Sequence, residues 1–256
     1  MCGIIAFSHP QVEHKEETIN SMMKLIQHRG PNIDGCGNFT DDKVAMGFVR
    51  LSVIDLKSGA QPLYNEDNSI LVTFNGEIYN YQSLRKELIN AGHDFKTATD
   101  TEVLLHGYEE WGMAGTLKRI RGMFAYFIYD TNKQAMYGAR DFFGIKPLYY
   151  YLQGEIFIVG SEIKSFMRQP NFKMELNKRA VKPYLMNQYN DLKETLFKNV
   201  YRFPAGHWFE YSNGHLTTHK YWDAQYNIDD NRSEEEVIDQ IDKTVTESVK
   251  LHNIAD

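Results

Sequence analysis

The chain has 256 residues, of which 42% are hydrophobic and 24% are charged, an ordinary globular composition with room for one large domain or two small ones. Its net charge of −6 argues against nucleic acid or an anionic membrane surface as a partner. No apolar run approaches the roughly 18 residues of a membrane helix, and we expect no secretory signal.

Apolar segments predict strands and helices that follow one another without strict alternation. The strands are predicted over 3–8, 43–49, 70–75, 123–130, 134–139, 148–153 and 155–160, the last two joined at Gly154. Apolar residues three and four positions apart predict helices over 15–27, 81–91 and 101–111. Gly92 closes the second helix, and the pair Met22 and Met23 is expected to fill the core. This order of elements predicts an α+β layered sandwich.

The pattern changes near the C-terminal end. Ser212-Asn213-Gly214 predicts a hairpin turn, and residues 227–232 form a polar linker. Ser233 and Glu236 then predict a capping box, followed by a helix whose apolar face carries Val237, Ile238, Ile241, Val245 and Val249. Such a face needs a cover. The helix either docks back on the main domain or begins a second domain.

Cys2 is the first candidate for chemistry. Once Met1 is removed, Cys2 would carry a thiol and a free α-amine on one residue, and the amine has a pKa of about 7.7–8.0. That amine can take the thiol proton, which is how N-terminal nucleophiles are activated. Alternatively, Cys2-Gly3-Ile4-Ile5 simply opens a buried strand.

The remaining cysteine and the histidines give weaker signals. Cys2 and Cys36 are two cysteines in a long chain, which excludes a disulfide framework and favours a reducing, cytoplasmic location. Cys36 has no activating neighbour and is interpreted as a passive small residue. The nine histidines are scattered without ligand spacing, so no metal is expected.

Three further segments would complete a site. Asn75 and Gly76 end a strand and could form an oxyanion hole, with glycine leaving the approach open, or only a turn. Arg50 could hold a carboxylate through its planar guanidinium, or could be a solvated surface residue. Asp100 could pair with an ammonium group, or only cap the next helix. A ligand that satisfies both Arg50 and Asp100 is an amino acid.

Motifs along the whole chain resemble the class II glutamine amidotransferase domain of the glutamine-hydrolysing asparagine synthetase family. They occur in the family's order: Met1-Cys2-Gly3-Ile4-Ile5, His28-Arg29-Gly30-Pro31, Arg50-Leu51-Ser52-Val53-Ile54-Asp55, Phe74-Asn75-Gly76-Glu77-Ile78-Tyr79-Asn80, Asp100-Thr101-Glu102-Val103, Gly122-Met123-Phe124-Ala125 and the segment from Arg140 to Tyr149. One departure is Asn32, where the family usually has Asp.

The resemblance implies a four-layer αββα sandwich of two antiparallel sheets, the N-terminal-nucleophile hydrolase fold, and hydrolysis of glutamine through a γ-glutamyl thioester. By that similarity, Cys2 is the nucleophile and its α-amine is the base, while Asn75 and Gly76 form the oxyanion hole. The substrate-binding residues it implies are Arg50 for the α-carboxylate, Glu77 and Asp100 for the α-amino group, and the backbone of Leu51, Val53 and Ile54.

The resemblance also predicts the domain organisation. Residues 1–215 would be the glutaminase domain, and residues 216–256 a linker and the first helix of a synthetase domain. No phosphate-binding loop is present in the sequence, so no cofactor is expected in this chain, and ATP and magnesium would belong to the synthetase domain. The expected partners are glutamine, that domain and a possible second copy in a homodimer.

Three other functions remain open at this point. The domain could serve a synthetase that amidates another carboxylate, such as a sugar acid. It could bind glutamine as a regulatory module without turnover. It could also act alone as an amidohydrolase on a different amide.

Overall fold

A computed structural model of the chain describes residues 1–51, 59–189, 192–226, 228 and 231–253, with the backbone alone at residues 32 and 33. The strands are β1 (Gly3–Ser8), β2 (Asn32–Thr40), β3 (Val44–Arg50), β4 (Leu63–Tyr64), β5 (Ile70–Ile78), β6 (Gly122–Asp130), β7 (Ala135–Arg140), β8 (Tyr149–Gln153), β9 (Ile156–Gly160), β10 (Val200–Arg202), β11 (His207–Ser212) and β12 (His215–Lys220). The helices are α1 (Lys15–Leu25), α2 (Tyr81–Asn90), α3 (Thr101–Arg119), α4 (Lys178–Asn187) and α5 (Glu234–His252), with short 3-10 segments at Gln27–Arg29 and Ile163–Arg168.

The strands form two sheets of six strands each. The first has the order β10-β8-β9-β1-β3-β2, and the second has the order β12-β11-β7-β6-β5-β4. Every strand pairing within the described residues is antiparallel. Because antiparallel neighbours need only short turns, the hairpins predicted at Gly154 and Asn213-Gly214 fit this topology. At both hairpins the turn residues have positive φ, as tight hairpin turns require.

Three hydrophobic clusters separate four layers. The first lies between the sheets and includes Ile4, Phe48 and Phe127. A second joins the outer face of the first sheet to α1, whose Met22 is fully buried. The third joins the second sheet to α2 and α3. The arrangement is the predicted αββα sandwich, with each sheet covered on its outer face by helices.

The boundaries differ from the sequence predictions at a few places. α3 consists of two helical segments that meet at Gly112, whose φ of 65° and ψ of 176° are not helical; the helix predicted over 101–111 is the first segment, and the second, which was not predicted, continues to Arg119. The predicted helix ended at 111 because glycine breaks the run of apolar spacing. β2, β10 and α4 were not predicted, since they are short, polar or interrupted by Pro183. In the part of the chain that the structure describes, no helix is both long and apolar enough to cross a membrane.

α5 follows the predicted capping box. The Ser233 hydroxyl accepts from the Glu236 N–H, and the Glu236 carboxylate accepts from the Ser233 N–H. None of its described residues is buried, and Ile241 and Val245 are 58% and 55% exposed. Among the described residues, an aromatic contact joins His252 of α5 to Tyr79 of the domain body at a ring-centroid distance of 3.9 Å. The apolar face of α5 is exposed along its described length.

Candidate active site

The site lies at one end of the sandwich, where the two sheets approach each other. β1 pairs with β3 so that Gly3 lies opposite Val49, which brings Cys2 beside the residues that follow Val49. β5 of the second sheet contacts both β1 and β3. A cavity of about 260 Å³ opens between them. This is slightly below the roughly 300–1,000 Å³ of sites for drug-sized ligands, a size that suits a small metabolite.

The cavity gathers the predicted residues from distant parts of the sequence. Its lining includes Cys2, Arg50, Leu51, Asn75, Gly76, Glu77 and Asp100. The other two predicted residues, Val53 and Ile54, lie outside the described residues. The predicted residues therefore bring a thiol, a guanidinium, two carboxylates and a carboxamide to the cavity, a set of polar groups that suits a zwitterionic amide.

The Cys2 thiol is held by the backbone of Leu51. Its Sγ donates to the Leu51 carbonyl at 3.4 Å and accepts from the Leu51 N–H at 3.3 Å. Burial raises the pKa of the Cys2 thiol, although the Leu51 hydrogen bond and the nearby positive charges oppose this rise. Neither Cys2 nor Cys36 forms a disulfide. Because the thiolate is the nucleophilic form, Cys2 in this environment needs a base.

An amine in this position has a lowered basicity. Burial, together with the positive charges of Arg29 and Lys146, lowers the pKa of the Met1 α-amino group, against the opposing effect of Cys2. The α-amine of Cys2, exposed after loss of Met1, would lie one residue closer to the thiol. A neutral amine beside the thiol is the arrangement that can accept its proton.

Asn75 presents an available hydrogen-bond donor. Its side chain is 1% exposed, and its Nδ2 is buried with no hydrogen-bond partner among the described residues. A buried donor without a partner costs free energy unless a ligand supplies the acceptor. The residue lines the cavity, so this amide is placed to donate to an oxygen bound there.

Gly76 is required by the contact between two strands. A Cβ at this position would lie 2.2 Å from the Met123 carbonyl oxygen and 2.8 Å from the Phe124 Cα, both in the β6 backbone. The sequence interpretation was that glycine clears the approach to the site. The structure instead gives close backbone packing of β5 on β6 as the reason.

Arg50 and Asp100 are both buried, at 4% and 5% exposure. The Arg50 side chain passes over Gly35, where φ is +88° and a Cβ would lie 2.6 Å from Arg50 Cδ. The alternative that Arg50 is a solvated surface residue is therefore wrong. The neighbouring Cys36 is also involved, because its Sγ accepts from the Arg50 N–H at 3.2 Å.

Asp100 occupies the N-cap position of α3, but its side chain makes no capping hydrogen bond. Its Oδ2 accepts instead from the Ile78 N–H of β5 at 2.8 Å. Burial raises the pKa of Asp100 to about 7, and the charge of Glu77 adds to the rise, although the Ile78 bond opposes it. A bound ammonium group would favour the ionised carboxylate.

Two charged residues of the site were missed by sequence reasoning. Arg29 donates from Nε to the Cys2 carbonyl at 3.0 Å and from Nη1 to Glu162 at 3.0 Å, and so fixes the backbone of Cys2. Lys146 is 6% exposed and lines the cavity, and burial lowers its pKa. Asp141 accepts from the Lys146 N–H at 3.0 Å and orders this loop. In the sequence, the only indication that Arg29 and Lys146 belong to the site was that both lie within motifs of the family resemblance.

Comparison with known proteins agrees with this geometry. The family model described as "Glutamine amidotransferase domain" matches residues 1–222. Asparagine synthetase [glutamine-hydrolyzing] 1 of Bacillus subtilis is 39% identical over 261 residues, which cover all of this chain and 40% of that protein. The Amidase chyE of Penicillium rubens is 34% identical, over all of this chain and 39% of that protein.

Solved structures agree on the fold. The chain superposes with a TM-score of 0.62 on the glutamine phosphoribosylpyrophosphate amidotransferase from B. subtilis, at 20% identity, over 86% of this chain and 49% of that one. The allosteric regulatory enzyme of purine biosynthesis gives a TM-score of 0.65, also at 20% identity and over the same shares of the two chains.

The two antiparallel sheets with their outer helices give the chain the fold of these two solved structures. The chain belongs to the glutamine amidotransferase domain family, and its sequence is that of the domain found in asparagine synthetase-like proteins. It spans 40% of the length of the asparagine synthetase described above.

Proposed function

We propose that this domain hydrolyses glutamine to glutamate and ammonia with Cys2 as the nucleophile. The observation that supports the proposal is the lining of the cavity, which includes Cys2, one guanidinium and two carboxylates together with Asn75, whose Nδ2 has no hydrogen-bond partner among the described residues. Arg50 would bind the α-carboxylate through a charge-assisted pair of hydrogen bonds. Glu77 and Asp100 would bind the α-ammonium group. The side-chain amide of the ligand then faces the thiol.

The reaction needs no group beyond these residues and water. After Met1 is removed, the Cys2 α-amine takes the thiol proton and the thiolate attacks the side-chain amide carbon. The carbonyl oxygen becomes an oxyanion, which the Asn75 amide and the Gly76 N–H stabilise. The proton passes from the amine to the leaving nitrogen, and the C–N bond breaks to give ammonia and a γ-glutamyl thioester. Water then cleaves the thioester and returns the thiol.

The experiment controls the N-terminus directly. The protein is made with a cleavable N-terminal extension, and glutamate release from glutamine is measured before and after cleavage that leaves Cys2 first. We expect activity only after cleavage, and none in Cys2→Ala cut in the same way. Activity that is equal before cleavage, or that survives in Cys2→Ala, would contradict the assignment. Glutamine binding without any glutamate release would favour the regulatory module instead.

We further propose that residues 1–215 form the glutaminase unit and that residues 216–256 are a linker and the first helix of a synthetase domain. The exposed apolar face of α5 supports this division, as does the 40% share of the relative's length that the chain spans. Ammonia would pass to that domain for ATP-dependent amidation of aspartate, with ATP and magnesium bound there. The proposed hydrolysis of glutamine uses no cofactor in this chain.

A second acceptor is favoured by one comparison. The fungal relative named as an amidase matches the chain as fully as the asparagine synthetase does, so the domain occurs in proteins with different names. Glutamine hydrolysis in the cavity is the same whichever carboxylate receives the ammonia, and another acid, such as a sugar acid, is therefore the second candidate acceptor. The protein carrying the synthetase domain, supplied with glutamine, ATP and magnesium, is assayed with aspartate and with other carboxylic acids. Asparagine formed from aspartate supports the first acceptor, and turnover of another acid without aspartate supports the second.

A further inference from the structure

A second cluster of polar side chains lies on the far side of α3, apart from the cavity. Glu66 comes from the connection between β4 and β5, His93 from the segment after α2, and His106 and Glu109 from α3. Ligand atoms of Glu66, His93 and His106 all lie within 4.8 Å of one another. Three chain segments therefore bring two imidazoles and the Glu66 carboxylate together, and Glu109 Oε2 lies within 3.8 Å of a nitrogen of each imidazole.

The distances fit a four-coordinate metal. Zinc bonds to nitrogen and oxygen of about 2.0–2.2 Å place tetrahedral ligand atoms roughly 3.3–3.6 Å apart. His106 Nδ1 lies 2.9 Å from Glu109 Oε2 and 3.9 Å from Glu66 Oε1, and His93 Nδ1 lies 3.8 Å from Glu109 Oε2. The observed distances lie on both sides of the distance between ligand atoms in a tetrahedral zinc site. Small rotations of the exposed Glu66 and the half-buried His93 side chains would therefore give tetrahedral spacing.

The side chains that contact His106 from outside the cluster also resemble the surroundings of a metal site. His106 is 2% exposed, and its Nε2 is buried with no hydrogen-bond partner among the described residues, with Glu102 Oε1 lying 3.6 Å away. Glu102 is fixed by the Lys96 and Thr97 N–H groups at 2.7 and 2.8 Å. Metal-bound histidines are commonly oriented by a carboxylate on the opposite ring nitrogen.

Glu109 is oriented in the same way. Its Oε1 accepts from Asn65 Nδ2 at 2.9 Å, which leaves Oε2 directed at the two histidines. The carboxylates of Glu109 and Glu102 thus face the two opposite ring nitrogens of His106, Nδ1 and Nε2.

We propose that Glu66, His93, His106 and Glu109 bind one divalent transition-metal ion of the zinc class. Mixed imidazole and carboxylate ligands suit Zn²⁺. Neither Cys2 nor any other residue that lines the cavity belongs to this set of ligands, so the proposed metal site and the cavity share no residue. Its role is structural, because the ion would clamp the start of α3, which carries Asp100, to the β4–β5 and α2–α3 connections. The scattered histidines gave no such expectation from sequence, since the ligands meet only in the fold.

The test uses the purified protein freed of metal with a chelator and titrated with Zn²⁺ alone. We expect one ion per chain and a rise of several degrees in Tm, because an ion that binds only the folded state stabilises it. Glu66→Gln and His93→Gln change residues that are not fully buried and should fold. Each should weaken Zn²⁺ affinity by more than about tenfold. His215→Gln, an exposed histidine on β12, is the matched control and should bind as the wild type does.

Cobalt provides a readout that does not depend on the variants. Co²⁺ bound to the wild-type protein should give the intense visible absorption of a tetrahedral site, and Zn²⁺ should displace it. Absence of stoichiometric binding, the weak spectrum of an octahedral ion, or wild-type affinity in both variants would overturn the proposal. Each of these results would leave His106 as the centre of an ion-pair network.

Discussion

The carboxylate of Asp100 accepts a 2.8 Å hydrogen bond from the backbone N–H of Ile78. This bond joins the start of α3 to the end of β5, two residues beyond Gly76. It therefore holds the residues proposed to bind the ammonium group and those proposed to stabilise the oxyanion in one rigid unit. Because Asp100 is buried and titrates near neutrality, it also makes the site sensitive to pH.

Glutamine binding should weaken as the pH falls. Asp100 has a pKa of about 7 in the free domain, so below that pH it becomes protonated and loses its attraction for an ammonium group. The KM for glutamine should rise as the pH falls through about 7, while Asp100→Asn should have a KM that is higher and flat across this range. Loss of a charge-assisted bond of about 1.5–3 kcal/mol corresponds to roughly 10–100-fold in KM. Steady-state kinetics from about pH 5.5 to 8.5 measure this; a parallel rise in Asp100→Asn would contradict the assignment.

The same carboxylate should cost stability at high pH. An unfolded aspartate has a pKa of about 3.9, whereas folded Asp100 has a pKa of about 7. The folded state thus binds the proton more tightly, and the free energy of unfolding contributed by this group falls as pH rises between these values. Asp100→Asn, which keeps an acceptor for Ile78, should be more stable than the wild type at about pH 8. Urea unfolding measures this, with exposed Asp42→Asn as control; a less stable Asp100→Asn would contradict it.

Removing the Asn75 amide should slow the chemical step. Loss of one donor to a developing oxyanion costs about 10²–10³ in kcat, or roughly 3–4 kcal/mol. Asn75→Ala should therefore lose kcat with little change in KM for glutamine. Because its Nδ2 has no partner among the described residues, the variant should unfold at nearly the wild-type Tm. A change confined to KM would place Asn75 in substrate binding instead.

Replacing Lys146 should move the pH profile. Its charge lowers the pKa of the α-amine at the N-terminus and of the Cys2 thiol. In Lys146→Met both pKa values should rise. Because the α-amine acts as a base only after it has lost its proton, hydrolysis of glutamine should then begin at a higher pH. The pH dependence of kcat/KM measures the shift. Lys198→Met, an exposed lysine paired with Glu175, should leave the profile unchanged, and an unmoved profile in Lys146→Met would remove its electrostatic role.

The face of α5 should matter little to the domain described here. Ile241 and Val245 are more than half exposed, so the double change Ile241→Lys and Val245→Lys removes no buried contact. Tm and glutamine hydrolysis should stay unchanged, since exposed substitutions usually cost less than about 0.5 kcal/mol. Leu104→Ala, in the buried core of α3, is the contrasting variant and should lower the free energy of unfolding by about 2–5 kcal/mol. A comparable loss in the α5 variant would show that the helix docks on the domain.

The elements that could be predicted from sequence are those whose signal is local. β1, β5 and β6 are continuous apolar runs, α1 and α2 have helical spacing, and the Ser233 capping box needs only four residues. The unpredicted β10 and α4 have no such signal, because their residues pair or pack with segments far along the chain. Asp100 does occupy the N-cap position of α3, as interpreted from the sequence. Its carboxylate does not cap the helix, however, because it accepts a hydrogen bond from the Ile78 N–H of β5.

By itself, the sequence determined the class of site: a cysteine one residue from the N-terminus, with the arginine, amide and carboxylates of a family pattern. Only the tertiary structure decided what holds them. The two sheets bring together residues that are far apart in the sequence. They place Arg29 on the Cys2 carbonyl and Lys146 in the cavity, and they create the strand contact that excludes any side chain at Gly76. The same holds for the Glu66, His93, His106 and Glu109 cluster. Burial and distance set these roles, and neither can be obtained from spacing along one chain.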